Sequence, residues 1–244
     1  MKTYRLVLPI AACLAASVPA SAQSFFDTST PSQLINFGAR IGVNSSNRTV
    51  SDDFYNLWNK NSWGTGFDLG VVADINIRQY LSVQPGIFFQ SRSGDYTYCS
   101  RLWVPTVGTD GTITSEGQDL VQYGHGRTYN LYIPVVASVR FNLGSKVRWS
   151  VDVGPYVNFQ LHSQGTPEVY KLKYAGIDGT PAYVEKHSAE RNNVDFGFKL
   201  GTGFQFFSHY YIGVHYMAGA TDVWKTEGMN GRNKAWTFTA GYDF

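Results

Sequence analysis

Along YVEKHSAE the chain sets His187 beside Ser188, with Glu190 two residues on, and a second His-Ser pair stands at His162 and Ser163. A histidine, a serine and a carboxylate can run acyl transfer if the base reaches the hydroxyl. Adjacent residues of a strand point to opposite faces, however, so neither pair hydrogen-bonds easily within itself. A second set of ionisable residues lies inside alternating segments. Arg40, Arg140, Arg148 and Lys199 stand with Asp68, Asp74, Asp152 and Asp195, and His215 shares their face. Four positive and four negative groups on one narrow surface can pair, whereas each one left alone meets a costly desolvation. No Cys/His metal spacing, glycine-rich phosphate loop or nucleotide fingerprint occurs. The sequence therefore gives no catalytic residue, no cofactor and no metal.

The segments that carry these charges share a two-residue rhythm. They are LINFGARIGVN, GFDLGVVADINI, LSVQPGIFF, YNLYIPVVASVRFNLG, VRWSVDVGPYVNFQL, VDFGFKLGTGFQF, YYIGVHYMAGA and WTFTAGYDF. Apolar residues alternate with small or polar ones, as in a β-strand with two unlike faces. Each segment reaches the ~9–11 residues of a tilted transmembrane strand. Short turns follow the second, fourth and sixth strands, at Arg78-Gln79, Gly144-Ser145-Lys146 and Ser208-His209. Long loops follow the others, at 45–64, 97–126, 162–191 and 221–233. Outer-membrane barrels sort their connections this way, with short periplasmic turns and long external loops.

Glycine decides which face looks inward. Gly38, Gly42, Gly66, Gly70, Gly86, Gly154, Gly197, Gly201, Gly203, Gly213, Gly219 and Gly241 lie on the charged face. Water-exposed strands gain nothing from glycine, whereas an eight-stranded barrel is only just wide enough for side chains to fill and needs small ones. The prediction is an all-β, eight-stranded antiparallel up-and-down transmembrane β-barrel with long external loops and hairpins, polar inside and apolar outside. A soluble lipocalin-like binder is the alternative, with its valines and phenylalanines inside. Asp110-Gly111 and Asp178-Gly179 predict hairpins that extend the wall outward. Pro85 and Pro134 predict local bulges.

Residues 1–22 read as a signal peptide: Lys2 and Arg5, an apolar run, then Ala20-Ser21-Ala22. That leaves 23–244 as one barrel domain with 18 basic and 18 acidic residues, a balance that points away from nucleic acid. No later segment reaches the ~18 continuous apolar residues of a membrane helix. Cys99 is the only cysteine after residue 22 and reads as a loop residue outside any internal disulfide.

The run NLYIPVVASVRF, the segment VDVGPYVNF, the segment DFGFKLGTGFQF and the ending TAGYDF together resemble the PorT-like outer-membrane β-barrel family of Bacteroidota, over residues 30–244. The resemblance implies an integral outer-membrane protein in contact with lipid. It also implies that Phe238, Tyr242 and Phe244 serve as the signal read by the barrel-assembly machinery. It does not fix a function. The residues favour a small barrel with a plugged lumen and a structural or surface-interaction role, with a protein or glycan partner at the external loops. Phe54, Trp58 and Trp63 are the candidate loop contacts. A narrow pore and a lipid-modifying enzyme are the further alternatives.

Overall fold

In a computed structural model, residues 25–51, 60–107, 109–173, 183–225 and 230–244 are described. Eleven strands occur among them. They are β1 (Ile35–Ser51), β2 (Lys60–Asn61), β3 (Gly64–Arg78), β4 (Leu81–Val107), β5 (Ile113–Asn142), β6 (Val147–Gln164), β7 (Glu168–Lys173), β8 (Tyr183–Ser188), β9 (Val194–Phe206), β10 (Tyr210–Gly219) and β11 (Asn230–Asp243). Eight of them close a ring in the order β1, β3, β4, β5, β6, β9, β10, β11 and back to β1, every pair antiparallel. Closure leaves no sheet edge in the wall, which a lipid-embedded sheet requires.

The apolar residues face out. Ile41 is 62 % exposed, Leu69 56 %, Phe198 62 % and Phe238 52 %. Their neighbours along the strands, Arg40, Asp68, Gly197 and Thr237, are buried inside. Water would penalise such a surface, and acyl chains would not. The soluble lipocalin-like alternative is thereby overturned, since it required the opposite orientation. On β1 and β11 the apolar band ends at the pair Ser45 and Trp236, and Tyr216 packs on Trp236 with ring centroids 4.9 Å apart.

Three expectations about irregularities need correction. The prolines do not make bulges. Register is the same on both sides of Pro134 and of Pro85, and only individual pairings drop out opposite them. The register shifts lie instead at Asn76/Arg78 and Tyr129/Asn130. Cys99 is no loop residue: β4 and β5 run on past the wall as one long ladder, from Ser91↔Tyr129 to Val107↔Ile113, and Cys99 sits in it 1 % exposed. Asp110-Gly111 forms its tip, with Gly111 at φ 80° and Thr112 N donating to Asp110 Oδ1 at 3.1 Å. The third loop does not extend the wall. β7 and β8 pair only with each other as a separate two-stranded sheet, and Asp178-Gly179 lies outside the described residues.

That small sheet carries an exposed ionic contact. Lys186 Nζ meets Glu168 Oε1 at 2.7 Å, and Tyr170 donates to Glu168 Oε2 at 3.0 Å. These bonds hold the Glu168 carboxyl below its usual range and raise the Lys186 amine. A depressed carboxylate stabilises the fold above its unfolded pKa and loses that effect as pH falls through its folded value; the raised lysine loses its own only as pH climbs past the lysine range. The amide signals of β7 and β8 are therefore expected to broaden or shift as pH drops from 7 to 3 in NMR spectra. In Glu168→Gln this acid response is absent and the signals are already perturbed at pH 7.

Candidate functional site

The lumen is filled in layers, each set by which inward positions the eight strands bring level. At the end bearing the short turns, Arg40 of β1 donates Nη2 to Asp243 Oδ1 of β11 at 2.5 Å, and Gln205 of β9 donates to Asp243 Oδ2 at 2.7 Å. Arg40 also lies over the Tyr211 ring, 4.5 Å from its centroid. Beside them Arg140 of β5 pairs with Asp74 of β3 and donates to Asn76 Oδ1 at 2.8 Å. Arg148 lines the same small cavity of about 20 Å³, within electrostatic reach of Arg140 and Asp74.

One step further in, Asp152 of β6 gathers partners from two other strands, β5 and β10. Ser138 Oγ donates to its Oδ1 at 2.6 Å, Tyr211 OH to its Oδ2 at 3.2 Å, and His215 Nε2 lies 3.1 Å from the same oxygen. Lys199 sits among these groups, its ammonium 5.9 Å from the Phe88 centroid.

The centre of the bore is apolar, which the sequence reading did not anticipate. Val72, Phe88, Tyr132, Tyr156, Met217 and Ala235 form a buried cluster there. Phe88 packs on Tyr132 with centroids 5.8 Å apart, and Tyr132 on Tyr156 at 5.3 Å. The glycines make room for these rings and for the other large lumen side chains. A Cβ on Gly70 would strike the Phe88 ring, one on Gly197 the Tyr156 ring, and one on Gly201 the His215 ring. Small residues face large ones across neighbouring strands, so this central layer packs closely.

Beyond the apolar layer, Asp68 accepts from Gln90 and from Asn44 Nδ2, the latter at 3.2 Å. Asp195 accepts from Thr221 Oγ1 at 2.9 Å, Asn233 Nδ2 at 3.0 Å and Tyr156 OH at 3.4 Å. The expected charge pairing is thus only partly present. Among the described residues, Arg40, Arg140 and His215 meet carboxylates, whereas neutral donors satisfy Asp68 and Asp195. Asp243 was missed, although it continues the inward parity of Thr237, Thr239 and Gly241.

Three arginines were missed as well: Arg48 and Arg191 lie where loops were expected, and Arg92 lies just past the end of the third expected strand. Arg48 of β1, Arg92 of β4 and Arg191 before β9 cluster at the end with the long connections. Continuing the inward parity from Arg40 and from Phe88 would have found the first two. A cavity of about 50 Å³ opens here, lined by Arg48, Arg92, Tyr96, Asn130, Asn158 and Asp195 among others. Above it, Tyr98, Ala189, Val223 and Trp224 form a second buried cluster.

The remaining candidates are scattered. Trp63 is 46 % exposed, with Lys234 Nζ 5.5 Å from its centroid; Phe54 and Trp58 lie outside the described residues. Phe238, Tyr242 and Phe244 all point outward, Phe244 being 71 % exposed with its N–H donating to Phe37 O at 2.8 Å. His187 meets Glu185 at 3.1 Å rather than Ser188.

Comparison with solved structures returns barrels of the same kind. The attachment invasion locus protein Ail of Yersinia pestis, solved in complex with the heparin analogue sucrose octasulfate, is 17 % identical, with 86 % of this chain and 99 % of that chain covered and a TM-score of 0.39. The outer membrane protein OprG of Pseudomonas aeruginosa is 11 % identical, covering 86 % and 95 %, at a TM-score of 0.44. Neisserial surface protein A is 10 % identical, covering 85 % and 97 %, at 0.41. No curated protein matches the chain. The family model described as "Outer membrane protein beta-barrel domain" matches residues 21–225, the greater part of the sequence and seven of the eight wall strands. With a closed ring, an apolar outer face and a filled polar bore already in hand, that match means the chain belongs to the outer membrane β-barrel protein family.

Proposed function

We propose that this protein is a non-catalytic surface-interaction barrel whose working element is the projecting β4–β5 hairpin. The observation behind this reading is the pairing at its two sides. β4 is paired with β3 only as far as Gln90, and with β2 at Tyr96 and Thr97; β5 is paired with β6 only from Arg127 onward. Among the described residues, no further strand ladders onto the outer side of β4 after Thr97 or of β5 before Arg127, and the Gln122 side chain there bonds the Glu168 backbone. Ten residues of strand extend about 33 Å, and a strand side of that length with no ladder on it is a template for a partner's strand. Natural proteins normally blunt such edges, so a long open one on an exported barrel favours binding.

The same reading places residues 1–22 as an export signal, the long-connection end in the medium, and Phe238, Tyr242 and Phe244 as the segment recognised during assembly. A narrower PorT-like placement rests on the Ile133-Pro134 and Gly154-Pro155-Tyr156 segments. A pore is disfavoured by the aromatic layer at Phe88, Tyr132 and Tyr156, which separates the two lumen cavities.

Replacing 100–124 by a short Asp-Gly turn tests the proposal. The shortened protein is expected to keep the gel-migration shift between unboiled and boiled samples that marks a closed barrel. Cells displaying it should lose adhesion to the protein and glycan surfaces that bind cells displaying the full chain. Adhesion equal to that of the full chain would refute the role of the hairpin.

A further inference from the structure

At the outer mouth, positive charge outweighs its partners. Arg92 is 6 % exposed and Arg191 8 %. Among the described residues, Arg48 Nε, Arg92 Nε and both Nε and Nη2 of Arg191 are buried with no hydrogen-bond acceptor. Such a donor inside a protein costs its full desolvation, more so on a cation, and is rare without a reason. What these guanidinium groups do touch is mostly soft. Arg92 Nη2 lies 3.8 Å from the Met217 sulfur. Arg48 and Arg191 both lie over the Trp224 ring, at 5.3 and 4.8 Å from its centroid. One firm hydrogen bond, Arg191 Nη1 to Ser163 Oγ at 2.8 Å, is to a neutral group.

The nearby carboxylates are occupied elsewhere. Asp195 is bonded by Thr221, Asn233 and Tyr156. Asp68 is held by Gln90 and Asn44, Asp222 accepts the backbone N–H groups of Trp224 and Gly231, and Asp95 is bonded to His125 at the exposed rim. Arg48 lies beyond the apolar band. Burial, then repulsion from Arg191 and Arg92, draws its guanidinium down to about 9, and burial draws Arg191 down to about 10. A bound anion would relieve both effects.

The geometry points to an oxyanion-binding site at this mouth, with Arg48 and Arg92 lining the cavity and Arg191 flanking it over the Trp224 ring that Arg48 also covers, that takes a sulfate or phosphate group such as one esterified to a saccharide. Guanidinium forks match tetrahedral oxyanions. The cavity volume of about 50 Å³ holds one such group, since a single water occupies about 10–15 Å³ by a similar measure. The Asn and Ser side chains around it offer partners to the sugar hydroxyls that remain outside. The site rests on the reading that this mouth faces the medium, but it is independent of the hairpin.

Calorimetric titration of the folded, detergent-solubilised protein tests it, with sodium sulfate, sodium phosphate, glucose 6-sulfate and glucose 6-phosphate at constant ionic strength in chloride. Saturable binding of at least one anion is expected, weakened roughly tenfold or more in Arg92→Gln, as loss of a charge-assisted bond predicts. Arg191→Gln lies in a connection outside the wall and keeps the test valid if Arg92→Gln fails to close; because Arg191 flanks the cavity rather than lining it, a smaller weakening, of about threefold, is expected. Preference for the sulfate ester would assign the site to sulfated saccharides, and preference for the phosphate ester to phosphorylated ones such as envelope lipids carry. No saturable binding by any of the four, or equal binding by the wild type and the folded variants, would overturn the site. Hairpin replacement leaves this titration unchanged, so failure of the hairpin proposal and failure of the oxyanion site read out separately.

Discussion

Asp74→Asn is expected to destabilise the folded barrel by about 3–5 kcal/mol, the cost of removing one partner of a buried ion pair. Asp74 is 7 % exposed and pairs with Arg140 inside the bore. Arg148 lies within electrostatic reach of both. Deleting the carboxylate therefore strands two guanidinium groups near each other. Arg140→Met is the milder change, because Arg148 can still partly balance Asp74. The double variant Asp74→Leu/Arg140→Met removes both charges together and is expected to recover most of the loss, since hydrophobic replacement of a whole buried pair is often close to neutral. Urea titration of the barrel in lipid vesicles, read by the migration difference of unboiled samples, measures all three. Equal losses in the two single variants would show that Arg148 is not part of the balance.

Gly154→Val is the second large effect. Gly154 is inward on β6, and a Cβ there would fall 2.1 Å from Val135 O and 2.6 Å from Val136 Cα. Both are backbone atoms of the neighbouring strand β5, so no side chain can swing aside. The ladder must shift, and β5 is held on its other side by a long register with β4. Overpacking relieved by backbone movement costs about 1–3 kcal/mol, with the top of that range expected where only backbone can yield, which for a marginally stable fold means a large unfolded fraction. The unboiled sample is expected to migrate mostly as the unfolded form. Gly219→Val is the comparison: its nearest contacts are at 3.0–3.1 Å, one of them the Asp195 side chain, and the folded band is expected to persist. Closure of Gly154→Val at the wild-type level would mean that the wall is more pliable than this packing allows.

The lumen and the outer mouth were not equally legible. Parity alone placed Arg40, Asp68, Asp74, Asp152, Asp195 and His215 inside, because in a strand each second residue shares a face whatever the neighbours are. The same rule covers Asp243, inside the last expected strand, and it reaches Arg48 and Arg92 once β1 and β4 are carried past the apolar band. β1, β4 and β5 run on well past it, since pairing continues wherever a neighbour strand does.

Sequence by itself determined the fold class, the strand count, the antiparallel ring and the outward face. These follow from a local period of two and the placing of glycine, carried by each segment alone, and from the alternation of loop lengths, read along the chain. Tertiary structure decided what meets what inside. Which arginine finds which carboxylate, why the centre of the bore is aromatic, and how three arginines from distant segments come to one mouth all depend on stagger between strands. Stagger is a relation between segments, and no single strand's pattern contains it.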